Sequence, residues 1–225
     1  MPAISKAVTD LAIAEACSAI VRAGRTLSQA GFHAALAGNI STRVGDDRLV
    51  CTCAGADKGA LEDADLVVCD LEGEVIQGSA RPTSELLMHL AVYHARPDVR
   101  AVIHAHPPTA TAFAAASEPL DKLCLPELLV WLGPIALVPY GTPGTPELSA
   151  RLQPYLATHD GFLLENHGAL SAGKTLREAV QKMELIEQNA RITLMVRQIG
   201  KPPFALSSEQ YDGLVALRKR LTAQD

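Results

Sequence analysis

Residues 101–108 read AVIHAHPP, an apolar run that closes on two histidines one residue apart and a double proline. Side chains alternate across a strand, so His104 and His106 point to the same side. On that reading Val99, Ala101, Ile103 and Ala105 take one face, and Arg100, Val102, His104 and His106 the other. Two like-facing imidazoles can chelate one metal ion if further ligands arrive from elsewhere. The spacing alone leaves a second reading open, a polar pair where a strand meets solvent.

Two more groups bear on that choice. Glu85 follows Pro82, Thr83 and Ser84 in PTSELLMHLAVYHARPD (82–98), which reads as the first turn of a helix. His167 sits in ENHG, a turn between two apolar runs where Gly168 is expected to allow an unusual backbone angle. Three neutral imidazoles and a carboxylate suffice for a four-coordinate divalent ion, and nitrogen ligands favour zinc. A carboxylate that touches a metal but yields to substrate is also a ready general base. His89 lies four residues after Glu85 on the same helical face, and is expected to support the site or pack, since the ligand shell is already full. His94 falls at the helix end, where a dipole contact suffices; His33 and His159 are expected in solvated loops.

These groups need a frame. Residues 9–30 carry apolar positions at helical spacing, and short strands are expected near 39–44, 48–53 and 65–70, with a hairpin turn at LEGEV (71–75). A helix follows the His-x-His strand from Pro108 to about Ala116. GPIALVPYG (133–141) reads as a strand, 161–173 as strand, turn and strand, and 175–200 as a long amphipathic helix ending at Gly200. A last helix runs from about Ser207 to Leu221. Leu185, Ile192 and Met195 form a stripe read as core or subunit interface. Hairpins mixed with helix-linked strands point to a mixed sheet between helical layers.

The 225 residues suit a single domain spanning 1–225, and 48% hydrophobic with 20% charged residues is an ordinary globular balance. A net charge of −5 without a basic cluster argues against nucleic acid, and no apolar run is long enough to span a membrane. Asp10 and Glu15 interrupt the apolar start, unlike a secretory signal, so a cytoplasmic protein is expected. The five cysteines (17, 51, 53, 69 and 124) are an odd set not expected to form disulfides, and Cys51 and Cys53 read as small buried hydrophobes.

AGNISTR (37–43), PTSELLMHLAVYHARPDVRAVIHAHPP (82–108) and LLENHGAL (163–170) together resemble the class II aldolase/adducin family over nearly the whole chain. The resemblance implies a three-layer α/β/α domain with a mixed, largely antiparallel sheet, and a cyclic homotetramer with sites at subunit interfaces. It also implies Zn2+, or another divalent ion such as Mn2+ or Co2+, on His104, His106 and His167, with Glu85 both touching metal and moving protons. The implied reaction breaks a carbon–carbon bond next to a carbonyl, in a ketose phosphate such as L-fuculose 1-phosphate or a related hydroxy-keto compound. The metal would stabilise an enediolate. Decarboxylase, dehydratase and 4-epimerase chemistry on the same site are the alternatives, and a non-catalytic adducin-like assembly domain is the remote one. A Schiff-base lysine is the competing solution, but Lys58, Lys122 and Lys174 all read as lying in polar contexts.

The family's phosphate pocket maps onto Asn39, the turn Thr52–Gly55, and Thr83 with Ser84. Turn amides and a helix N-terminus bind anions well. Ala54 stands where the family carries a hydroxyl, so one phosphate contact is missing; Lys58 could compensate by charge, or the substrate could carry a carboxylate. The family's proton-donating tyrosines have no counterpart in 120–133 or in the C-terminal RKRLTAQD. Tyr140 reads as a packing residue and Tyr211 as a core or interface residue, which leaves the proton donor unassigned.

Overall fold

The structure is a computed structural model that describes residues 2–120, 125–200 and 206–222, giving the backbone path alone for 2–9 and 222. Lys122 and Cys124 lie outside the described residues, as does the end of the C-terminal tail. The chain opens with helix α1 (Pro2–Gln29), followed by strands β1 (Asn39–Val44), β2 (Arg48–Thr52), β3 (Leu66–Asp70) and β4 (Val75–Gln77). Then come α2 (Leu86–Ala95), β5 (Ala101–Ala105), α3 (Pro108–Ala115), β6 (Ile135–Val138) and α4 (Pro146–Leu156). The hairpin β7 (Gly161–Leu164) and β8 (Gly168–Gly173) leads into α5 (Leu176–Gln198) and α6 (Ser208–Thr222).

The eight strands form one sheet in the order β4-β3-β2-β1-β5-β8-β7-β6, antiparallel throughout except for the parallel β6–β7 edge pair. Every residue of β5 is buried, as a central strand covered on both faces requires. Register identifies the faces. Ser41 pairs with Val102, and Val102 with Ala172, so these share one side; Ile40, Ile103 and Ser171 share the other. The Ser171 hydroxyl donates to the Ala179 carbonyl in α5, placing α5 with α1 and α3 behind the sheet. Ser41 bonds to α2 side chains, so α2 and its neighbour α4 cover the front. This is a three-layer α/β/α domain, and His104, in phase with Val102, faces the α2 layer.

Local signals account for most boundaries. Thr175 and Thr145 accept hydrogen bonds from the first-turn amides of Glu178 and Glu147, capping α5 and α4, and the Ser207 hydroxyl accepts from the Gln210 amide ahead of α6. Two expectations change. The sequence reading assigned no element to 146–156, where α4 forms with Thr145 and Pro146 at its start. Pro154 lies inside that helix and reads locally as a breaker. The helix expected over 82–98 begins only after Glu85, because Pro82 and Thr83 are held extended against β2: the Thr83 amide donates to the Thr52 carbonyl at 3.0 Å. Glu85 is therefore the residue at the helix start, not part of its first turn.

Candidate metal centre

The four side chains singled out by the sequence arrive from three elements. His104 sits near the end of β5 and His106 just beyond it, His167 is in the β7–β8 turn, and Glu85 leads into α2. They meet. Glu85 Oε2 lies 3.3 Å from His104 Nε2, Glu85 Oε1 lies 3.3 Å from His167 Nε2, and the His106 and His104 Nε2 atoms are 3.0 Å apart. One ligand atom from each of the three histidines falls within 4.8 Å of the others.

The turn achieves this by an unexpected route. The left-handed angle at ENHG belongs to Asn166, with φ of 53°, and not to Gly168. Gly168 is required for space: a Cβ there would stand 2.5 Å from His106 Cδ2 and 2.7 Å from the Ala105 carbonyl. Gly38 does similar work at φ 80°, where a Cβ would strike the His33 ring and the His104 carbonyl.

Electrostatics keep the imidazoles neutral. Burial, reinforced by the neighbouring histidines, pushes His104 well below its ordinary pKa. His106 is lowered by burial and by His167, and His167 by burial, partly opposed by Glu85. The Ala169 carbonyl can only accept, so the His104 proton sits on Nδ1, 2.9 Å away, and the Nε2 lone pair points into the cluster. Glu85 Oε1 is buried without a hydrogen-bond partner among the described residues. An orphaned carboxylate oxygen beside converging lone pairs fits a divalent cation. A tetrahedral ion with bonds of about 2.0–2.1 Å would set its ligand atoms about 3.3 Å apart, close to the spacings seen.

Behind the carboxylate runs a buried chain in which His89 takes a supporting position, one of the two roles expected of it, together with Ser41 and Tyr93, which the sequence reading did not connect to the site. Asn39 Nδ2 donates to Glu85 Oε2 at 2.9 Å, and Asn39 Oδ1 accepts from His89 Nε2. His89 Nδ1 meets the Ser41 hydroxyl at 2.7 Å, which in turn bonds the Tyr93 hydroxyl at 2.8 Å. His89 is wholly buried, which lowers its pKa to about 3 and keeps it neutral. The chain therefore fixes the plane and tilt of the Glu85 carboxylate. The only signal in the sequence is the spacing of Glu85, His89 and Tyr93 at successive helical turns. Their partners lie about fifty residues away.

A cavity of ≈ 220 Å³ opens beside the cluster, lined by Asn39, Gly55, Thr83, Ser84 and Glu85 together with Lys58, His106 and His167. Thr52 is not brought to it: that side chain is fully buried, and its hydroxyl accepts from the Ile40 amide. Thr83 Oγ1 accepts from the Glu85 amide at 3.3 Å, so it also shapes the helix start. Lys58, polar in its sequence neighbours, is only 1% exposed, with Nζ on two backbone carbonyls. One expectation is corrected: His33 is half-buried, not solvated, and burial with the nearby Lys58 lowers its pKa to about 4. Tyr140 and Tyr211 are each 47% exposed in this chain, so Tyr211 is not core, while its reading as an interface residue is untouched.

This arrangement can be set against known proteins. The family model described as Class II Aldolase and Adducin N-terminal domain matches residues 18–194. The chain belongs to the class II aldolase/adducin family. It is 32% identical over 193 residues to a 3-oxo-tetronate 4-phosphate decarboxylase of Haemophilus influenzae, covering 82% of this chain and 88% of that one. It is 36% identical over 164 residues to an L-fuculose phosphate aldolase of Methanococcus vannielii, covering 73% and 87%. Among solved structures, an L-fuculose 1-phosphate aldolase superposes with a TM-score of 0.84 at 29% identity, covering 91% of this chain and 96% of its own. The chain is thus an enzyme of the class II aldolase kind, a metal-dependent lyase that works next to a carbonyl. Among the described residues no helix is long and apolar enough to cross a membrane.

Proposed function

We propose that this chain cleaves the carbon–carbon bond of a small phosphorylated hydroxy-keto compound such as a ketose phosphate, with Zn2+ held by His104, His106 and His167 and with Glu85 as the catalytic base. The observation that carries the reading is the convergence of three imidazoles, with ligand atoms within 4.8 Å of one another, and one carboxylate 3.3 Å from two of them, beside a cavity lined by Thr83, Ser84 and Gly55. A divalent cation bound there would supply a Lewis acid for the negative charge that builds on substrate oxygen during cleavage. The residues do the rest. Oε1 of Glu85, free of hydrogen bonds, offers the basic lone pair that takes a hydroxyl proton as the bond breaks. Asn39 holds Oε2, so the carboxylate cannot turn away. Asn39, Gly55, Thr83 and Ser84 bind the substrate's polar end, with Thr52 supporting the turn from behind.

A second reading, decarboxylation of a 3-oxo acid phosphate, is favoured by the Haemophilus influenzae relative. It needs the same charge stabilisation, with carbon dioxide leaving in place of an aldehyde. Further parts of the proposal are a single domain over 1–225, a homotetramer and a cytoplasmic location. Exposed Trp131, Met195 and Ile199 support assembly, and the free Cys17, Cys51, Cys53 and Cys69 support a reducing compartment. The test is metal analysis of the purified protein together with product analysis on ketose phosphates and 3-oxo acid phosphates. One equivalent of zinc and an aldehyde product are expected. Absence of any bound divalent ion, with activity indifferent to chelators, would sink the proposal; carbon dioxide as the product would transfer it to the second reading.

A further inference from the structure

We infer that Lys58 anchors the anionic end of the substrate, a phosphate monoester or a carboxylate seated in the cavity beside the metal centre; this rests on the lyase reading above and gives the substrate its charge class. The lysine is 1% exposed, yet it lines the cavity across from Thr83 and Ser84. An ammonium carries three N–H donors. Two are directed to backbone: one to the Leu36 carbonyl at 2.6 Å, the other to the Ala56 carbonyl. Among the described residues no carboxylate comes within ion-pair distance of Nζ. Asp57 and Asp65 act on it only from further away, and burial lowers its pKa in spite of them.

Buried charges in folded chains are ordinarily paired, because an unpaired one forfeits its hydration without return. Here the missing partner has a place to sit. The cavity is small enough to limit its occupant to a small metabolite, and the chain turns at Gly55, φ 76°, three residues before the lysine. Ala54 offers no hydroxyl to an anion, so the charge of Lys58 takes over a contact that a neutral side chain could have made. A staple that merely joined the 34–38 and 53–58 loops would not need a charge. A neutral donor would satisfy both carbonyls at lower desolvation cost.

The test measures binding of methyl phosphate and of propionate to the full-length, metal-loaded protein by calorimetry, with metal content determined in parallel. Lys58→Met removes the charge; Lys58→Gln keeps N–H donors for the carbonyls without it; Lys58→Arg keeps the charge. Methyl phosphate affinity should fall on the order of tenfold to a hundredfold in the first two variants and less in the third, at unchanged metal content. In activity assays the same loss should appear mainly in KM. If Lys58→Met and Lys58→Gln do not fold, the unaltered protein labelled with 15N-lysine decides: one buried ammonium resonance should shift on adding methyl phosphate. Tighter methyl phosphate than propionate identifies a phosphate monoester, and the reverse a carboxylate; both outcomes support the anchor. Wild-type affinity in Lys58→Gln, an unmoved resonance, or no binding of either anion would overturn it. Metal content, measured in parallel, keeps the two readings apart: an empty metal analysis fails the lyase reading, whereas wild-type anion affinity in Lys58→Gln at full metal content fails the anchor alone.

Discussion

Strand β5 runs between two polar clusters, one part-buried and one largely buried, and the contrast between them separates structure from function. At its start lies Asp160, just ahead of β7. Its carboxylate takes Arg96 at 3.1 Å, Lys182 at 2.8 Å and Arg218 at 3.2 Å, tying α2, α5 and α6 to the sheet. Lys182 also reaches the Ala172 carbonyl, and Arg218 the carbonyls of Leu129 and Val130. Donors and acceptors there answer one another. At the other end the histidine–glutamate cluster leaves Glu85 Oε1 and His167 Nδ1 without hydrogen-bond partners among the described residues, crowds three imidazoles together, and has an ammonium without a carboxylate partner nearby. A cluster that satisfies itself holds the fold. One that does not is waiting for something.

Substitutions can sharpen or break that division. The largest effect is expected from His106→Ala, which should lose bound metal and lower kcat/KM on the order of a thousandfold or more; metal retained at wild-type stoichiometry would contradict the ligand assignment. Glu85→Gln comes next. It should keep the metal but lower kcat roughly a hundredfold to ten-thousandfold, because an amide cannot take the proton. At the opposite end, Asp160→Asn should cost about 1–3 kcal/mol of stability in urea titrations, by removing the carboxylate that Arg96, Lys182 and Arg218 share, while Arg96 keeps Asp98 and Lys182 keeps Glu178. Metal content should stay intact. If Asp160→Asn instead emptied the metal site, the two clusters would not be separable.

A smaller effect is expected from the chain behind Glu85. His89→Ala should lower kcat roughly tenfold to a hundredfold by freeing the carboxylate to rotate, while metal content holds. His89 also carries a pH signature. Its folded pKa of about 3 lies below the ordinary 6.5. The unfolded chain therefore binds the extra proton first, and stability falls as pH drops from about 6.5 towards 3. His89→Gln should flatten that part of the urea midpoint against pH; an unchanged slope would assign the loss to other groups.

The sequence made some of this legible and hid the rest for identifiable reasons. His104 and His106 announce themselves because strand periodicity is local, and ENHG because a turn between apolar runs is local too. The layers of the fold follow from the same short-range patterns. What stayed hidden depends on pairing across the chain. That Lys58 is buried follows from loops 34–38 and 53–58 meeting over it, which its polar neighbours in sequence do not suggest. The supporting role of His89 was legible from its place one turn after Glu85, but its partners Asn39 and Ser41 meet it only because β1 lies under α2. Thr52 looks like a ligand-binding hydroxyl until the register of β1 and β2 gives it the Ile40 amide. Helix α4 was masked by Pro154, a breaker when read alone but tolerated near the end of a helix that is already capped and packed.

Gly168 gives the site a requirement of a different kind. The ring of His106 rests where any larger residue would put its first carbon, so the distance between the hairpin and the strand tip is set by a vacancy in the covalent structure rather than by a bond. New substrates can be accommodated by exchanging groups around the rim. The gap under His106 admits no such exchange, and even the smallest addition there would push His106 away from the hairpin that carries His167.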